Sequence, residues 1–129
     1  GRGSEDGTFI GPTIIESEPG AEIAREEIFG PVLTLLRAPD LDGALTILNS
    51  SSKGNAASIF TTSGGAMRRF RHDAEAGMLG VNIGVAAPMA FFPFTGWKDS
   101  FFGDLHANGS AATEFYTEKK VVITRWPAA

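Results

Sequence analysis

No cysteine occurs in this sequence. That absence excludes a disulfide framework, a thiolate metal site and a cysteine nucleophile within these residues. There is no basic run either, and the formal net charge is -4, which argues against an electrostatic footprint for nucleic acid or an anionic membrane surface. No apolar run is long enough to cross a bilayer. The opening "GRGSEDGTF" has neither the basic n-region nor the apolar core of a signal peptide. The expected compartment is therefore the cytoplasm, or the mitochondrial matrix if a targeting segment precedes these residues. No internal repeat is visible.

What is present is the composition of a soluble globular chain of about one domain: 129 residues, 43% hydrophobic and 20% charged. Residues 1–8 are polar and Gly-rich and read as a loop or the start of a fragment. "FIGPTII" from Phe9 to Ile15 is β-branched with a Gly-Pro interruption, as in a short or edge strand. "ESEPGAEIAREEIFG" reads as a turn and a short helical piece stopped by Gly30-Pro31, because proline disfavours helix at the preceding residue. "VLTLLRA" is the next strand.

Asp40 is placed to cap a helix in which Leu41, Ala44, Leu45 and Leu48 recur at helical spacing. "AASIFTT" reads as a buried strand and Ser63 as the next cap. Met67, Phe70 and Ala74 then line one helix face, opposite Arg68, Arg69, Arg71 and His72, with Gly77 expected to end the helix before the strand "MLGVNI". Strand, helix, strand, helix, strand with short connections predicts an α/β fold: a mostly parallel βαβαβ sheet with helical crossovers.

Beyond Ile83 the regularity breaks. "GVAAPMAFFPFTGWKDSFFG", residues 84–103, carries five of the ten phenylalanines in a Pro/Gly-punctuated loop where turn residues are ordinarily polar. Such side chains either line a channel, lie beneath a neighbouring domain or pin the loop to its own core. "TEFYTEKKVVITRW" reads as a helical turn followed by a β-branched strand suited to joining another sheet or subunit.

"AREEIFGPVLTLLR" poses a separate question, because two carboxylates run directly into an aromatic residue and a Gly-Pro corner. A carboxylate can accept hydrogen bonds from both hydroxyls of a ribose, and an aromatic ring can lie against a flat nicotinamide. The same residues also fit a solvated helix end, with Phe29 in the core. His106, in "GDLHANG", has no evident serine or metal partner and reads as structural.

Taken in order, "EEIFGPVL", "MLGVNI", "PFTGWKDS" and "FYTEKKVVITRW" resemble the C-terminal portion of the NAD(P)-dependent aldehyde dehydrogenase superfamily over residues 9–126. "PMAFFPFTGWKDSFFGDLHANG" is most similar to its CoA-acylating methylmalonate-semialdehyde dehydrogenase branch. The resemblance implies that residues 9–115 form part of a catalytic domain and that residues 116–129 form an oligomerisation strand. It implies Glu27 as the residue that binds the nicotinamide ribose and Phe29 as the one that contacts the nicotinamide ring. Phe94 corresponds to an aromatic residue of the substrate tunnel, with Phe91 and Phe92 helping to shape it. Thr95-Gly96 stands where many relatives carry Gly-Gly.

The implied whole enzyme uses a cysteine outside these residues and NAD, NADP not being excluded. It oxidises a small semialdehyde, with coenzyme A as co-substrate if acylating. Its implied partners are the small aldehyde, the rest of the same chain and further copies in a homodimer or homotetramer. This chain alone, lacking the nucleophile, is expected to be inactive. Two other readings remain: a non-acylating dehydrogenase that delivers the acyl group to water, and a non-catalytic α/β module that binds a protein.

Overall fold

The computed structural model describes residues 7–128, so residues 1–6 of the expected opening loop lie outside the described residues. The chain divides into two compact units, one comprising the residues up to Ser52 with Thr61–Glu75, the other Lys53–Phe60 with the residues from Ala76 onward.

The first unit is built on strands β1 (Thr13–Glu16) and β2 (Val32–Leu35), which pair in parallel with Thr13 opposite Val32 and Glu16 opposite Leu35. The ladder opens where the Thr13 amide donates to the Pro31 carbonyl at 2.9 Å and is extended by the Ser17 amide to Leu35 at 3.0 Å. Pro12 and Pro31, which have no N–H to give, precede the two strands, where no ladder donor is needed. The expected helical piece between them is a single 3-10 turn at Glu22–Ala24, ending well before Gly30. Successive side chains point to opposite faces of the pleat, so Thr13, Ile15, Val32 and Thr34 are half-buried while Ile14 and Leu33, which share a register position, face outward. Arg37 grips Glu16 with both Nε and Nη2 at the end of this ladder, and the carboxylate holds the guanidinium pKa above its ordinary value.

Helix α1 (Leu41–Ser50) starts as its sequence predicts, with the Asp40 carboxylate accepting from the Gly43 amide at 2.8 Å. Helix α2 (Gly64–Asp73) is likewise capped by Ser63, whose hydroxyl accepts from the Ala66 amide at 3.2 Å. Leu45, Phe70 and Ala74 form the buried centre. Asn49 ties the C-terminal ends of the two helices: its amide nitrogen donates to the Asp73 carbonyl at 2.8 Å and its oxygen accepts from the Glu75 amide at 2.9 Å. One side chain thus satisfies a carbonyl that the last helical turn leaves without a partner. Arg69 reaches Asp42 at 3.2 Å and is also paired with Asp73.

In the second unit β4 (Ala56–Ile59) and β5 (Met78–Val81) pair in parallel, Ala56 opposite Met78, with α2 lying between them in the chain. Two-residue strands β3 (Lys53–Gly54) and β6 (Trp97–Lys98) pair antiparallel, and α3 (Ala111–Tyr116) follows the aromatic loop.

The α/β class is present, with two parallel strand pairs, β1 with β2 and β4 with β5. They do not join into a single βαβαβ sheet: among the described residues the strands form three two-stranded sheets. Nor does α2 run to Gly77. It ends at Asp73, with Ala74 extended, and Gly77 has a different reason to be glycine. A β-carbon there would lie 2.7 Å from the α-carbon of Gly96 and 2.9 Å from its nitrogen, so the residue permits two backbone segments to touch. Residues 117–128 carry no helix or strand. Among the described residues no helix is long and apolar enough to cross a membrane.

Candidate functional site

Glu27 and Phe29 stand on the corner that leads into β2. Two successive tight turns fix this corner: the Gly30 amide donates to the Ile28 carbonyl at 2.7 Å and the Val32 amide to the Gly30 carbonyl at 2.8 Å. Three-residue turns of this kind are common at strand ends. Here they leave the Phe29 ring 97% exposed, which removes the reading of Phe29 as a core residue within this chain. Glu27 is exposed, and its carboxylate has no hydrogen-bond or ion-pair partner among the described residues. Both oxygens are free to accept, and the ring two residues on is free to lie against a flat partner. Within this chain an exposed ring near a free carboxylate, on a corner held by backbone hydrogen bonds, is compatible with a planar heterocycle and its attached sugar and leaves little ordering entropy to lose on binding. The residues present therefore fit a nicotinamide riboside.

Phe91, Phe92 and Phe94 lie in the second unit, where the three side chains are each about half exposed or more. The rings of Phe91 and Phe92 are 4.7 Å apart and tilted by 50°. Phe92 lines a cavity of about 440 Å³ together with Met78, Ile83, Val85, Pro88 and Thr95, a predominantly apolar wall between β5 and the loop that follows it. Phe91 and Phe94 are not part of that wall. Phe94 is held instead through its backbone, which bridges antiparallel to Ala107.

Thr95, the departure from Gly-Gly, sits at no left-handed backbone position; among the described non-glycine residues only Asn82, Lys98 and Asn108 do. Its β-carbon is accommodated without strain, and its hydroxyl lies 3.4 Å from His106 Nε2. The His106 ring lies 4.4 Å from the Phe101 ring, tilted by 49°, and its buried Nδ1 has no hydrogen-bond partner among the described residues. Sequence reasoning passed over Asn108 and Gly109, both left-handed at φ 72° and 59°; the Asn-Gly pair was the available signal.

In the first unit an exposed carboxylate and ring precede a parallel strand, and in the second an aromatic loop follows another. The model of the aldehyde dehydrogenase family matches residues 1–122, and the chain belongs to that family. It is 57% identical over 122 residues to malonate-semialdehyde dehydrogenase 1 of Geobacillus kaustophilus, covering 94% of this chain and 25% of that protein. It is 52% identical over 124 residues to malonate-semialdehyde dehydrogenase of Halalkalibacterium halodurans, covering 95% and 26%. Among solved structures, methylmalonate-semialdehyde dehydrogenase from Oceanimonas doudoroffii superposes with a TM-score of 0.85 at 43% identity, over 94% of this chain and 25% of that one. A Sinorhizobium meliloti chain provisionally named methylmalonate-semialdehyde dehydrogenase and complexed with NAD gives 0.82 at 38% identity, over 90% and 24%. The chain thus spans about a quarter of the length of the curated relatives it matches.

Proposed function

We propose that this chain forms the nicotinamide-facing part of an NAD-dependent aldehyde dehydrogenase acting on a short semialdehyde that bears a carboxylate, malonate or methylmalonate semialdehyde. The observation that carries the reading is the unpartnered Glu27 carboxylate two residues before the fully exposed Phe29 ring, on a corner fixed by backbone hydrogen bonds, in a chain of this family.

In this reading Glu27 accepts hydrogen bonds from the two hydroxyls of the nicotinamide ribose, and Phe29 lies against the nicotinamide ring and limits its orientation. NAD, when bound, supplies the acceptor for the aldehyde hydride. Phe94 narrows the approach of the aldehyde, with Phe91 and Phe92 shaping the loop around it. The nucleophile is a cysteine outside these residues, and the acyl group passes from it to coenzyme A. Residues 116–129 supply a strand to a neighbouring copy in a homodimer or homotetramer. Names of the relatives and the NAD complex of one of them support the substrate class and the cofactor.

The test is steady-state NADH formation by the whole enzyme that contains this chain, from malonate and methylmalonate semialdehyde, with and without coenzyme A. Turnover that requires coenzyme A is the expected result. Turnover with water alone assigns the enzyme to the non-acylating class, and no oxidation of either semialdehyde overturns the substrate assignment.

A further inference from the structure

The aromatic loop is held from outside by a short segment that the reading above leaves without a role. The Phe94 amide donates to the Ala107 carbonyl at 2.8 Å, and the Gly109 amide donates to the Ala90 carbonyl at 3.0 Å. These two bonds bracket residues 90–94, and inside them the loop turns tightly through a Phe92 amide to Met89 carbonyl bond of 2.9 Å. The side chains of Phe91, Phe92 and Phe94 remain about half exposed or more, so burial of the rings does not fix the loop. Backbone contacts do.

The holding segment is itself unusual. Asn108 and Gly109 are successive left-handed residues, a conformation that asparagine tolerates and that glycine adopts without penalty. The turn they make brings Gly109 directly onto the loop: a β-carbon there would lie 2.7 Å from the Phe91 carbonyl oxygen and 3.0 Å from the Phe92 carbonyl carbon. Both are backbone atoms, which cannot swing aside as a side chain would. On the far side of Phe94, Thr95 meets His106, one residue before Ala107.

We propose that the Asn108-Gly109 turn is a positioning clamp that fixes the backbone path of residues 90–94 and thereby sets which aldehydes pass Phe94. The second half of this statement rests on the tunnel reading of Phe94. Neither residue of the turn touches substrate; each acts through the loop. Displacement of a positioning group by about 1 Å is enough to change a reaction rate on the order of a hundredfold, so a β-carbon at residue 109 is a sufficient perturbation.

The experiment uses the whole enzyme with Gly109→Ala, Asn108→Gly and Phe94→Ala. Two quantities are read: the ratio of kcat/KM for propanal to that for benzaldehyde, with the KM for NAD alongside, and amide hydrogen exchange in the peptide spanning residues 90–97. Gly109→Ala is expected to speed exchange in that peptide and to move the aldehyde ratio by about tenfold, a typical consequence of misplaced substrate contacts, at an unchanged KM for NAD. Asn108→Gly is expected to match the parent in both. Should Gly109→Ala fail to fold, Asn108→Ala, which puts an unfavourable side chain at the left-handed position, carries the same expectation. Unchanged exchange in the alanine variant overturns the clamp. Faster exchange with an unmoved aldehyde ratio, while Phe94→Ala does move it, overturns the link to specificity, as does a parallel rise in the KM for NAD. A Phe94→Ala enzyme with an unmoved ratio overturns the tunnel reading alone, and the exchange measurement still decides the clamp.

Discussion

The backbones of Gly77 and Gly96 approach so closely that a β-carbon on Gly77 would lie 2.7 Å from the Gly96 α-carbon. Gly77 also donates its amide to the Gly54 carbonyl at 2.9 Å, so neither side can retreat without breaking the entry to the β4–β5 ladder. Gly77→Ala is therefore expected to destabilise the folded chain by about 1–3 kcal/mol, the usual cost of overpacking, seen as a lower urea midpoint at unchanged slope. Thr95→Gly, by contrast, removes no forbidden conformation and is expected to lose roughly 0.5–1 kcal/mol through the greater freedom of the unfolded chain.

Glu27 has no protein partner to lose among the described residues, so its removal separates binding from stability. Glu27→Ala in the whole enzyme is expected to leave the urea midpoint within about 0.5 kcal/mol of the parent, as for ordinary surface changes. The same change is expected to lower kcat/KM for NAD on the order of ten- to a hundredfold, since hydrogen bonds to a charged group each contribute about 1.5–3 kcal/mol. A variant that loses stability and cofactor use in parallel would count against the ribose role.

The helix caps give a stability test confined to the first unit. Asp40→Ala and Ser63→Ala each remove the acceptor for an N-terminal amide, and each is expected to cost about 1 kcal/mol. Asp40→Asn and Ser63→Thr, which keep an acceptor, are expected to recover most of it. Chemical denaturation of the four variants checks the pattern.

How these features were written in the sequence differs from one to the next. The caps were legible because capping depends on residues three apart, and the outcome at Asp40 and Ser63 follows from that local chemistry. Gly77 was legible as a glycine that matters, yet its partner Gly96 is distant in the chain, so a local reading assigned it to helix termination instead. Periodicity identified β1, β2, β4 and β5 but says nothing about how many neighbours a strand acquires, which is why a single sheet was expected where two-stranded ones occur. Phe29 could be core or exposed on composition alone; the two tight turns at Gly30 and Val32 decide it. The Asn-Gly dipeptide at 108–109 was passed over in the sequence, and the lack of room for a β-carbon between Gly109 and the Phe91 carbonyl exists only in three dimensions.

At the start of the C-terminal segment, Lys119 holds the Glu114 carboxylate of α3 at 2.7 Å. The hydrogen bond, with the charge attraction behind it, sets the Glu114 pKa below its ordinary 4.5 and the Lys119 pKa above its ordinary 10.5. A depressed carboxyl contributes stability that is fully present above the ordinary value and is lost as pH falls through the lowered one. A raised amine contributes below its ordinary value and ceases to do so as pH rises through the raised one. The pair is thus intact across neutral pH. Lys119→Met is expected to raise the Glu114 pKa toward its ordinary value in a side-chain NMR titration, and salt is expected to shrink the difference because both groups are exposed. An unchanged Glu114 titration would show that the pair is not formed.

Past that pair, Val121, Val122, Ile123 and Trp126 project from a stretch that carries no strand among the described residues. Ile123 is 93% exposed. A β-branched run without a partner strand forms no ladder by itself, since its amides and carbonyls have nothing to pair with. Supplied with an edge from a neighbouring copy, the same run gains both the ladder and burial of these side chains. Ile123→Asp would place a charge in that contact, and the whole enzyme is expected to sediment as a smaller species while binding NAD with an unchanged Kd. Charge at a buried position without a partner costs several kcal/mol, enough to dissociate an assembly at micromolar concentration. An Ile123→Asp enzyme that keeps the parent's sedimentation coefficient would mean that this segment joins no other copy, and that the exposed run is covered within its own subunit.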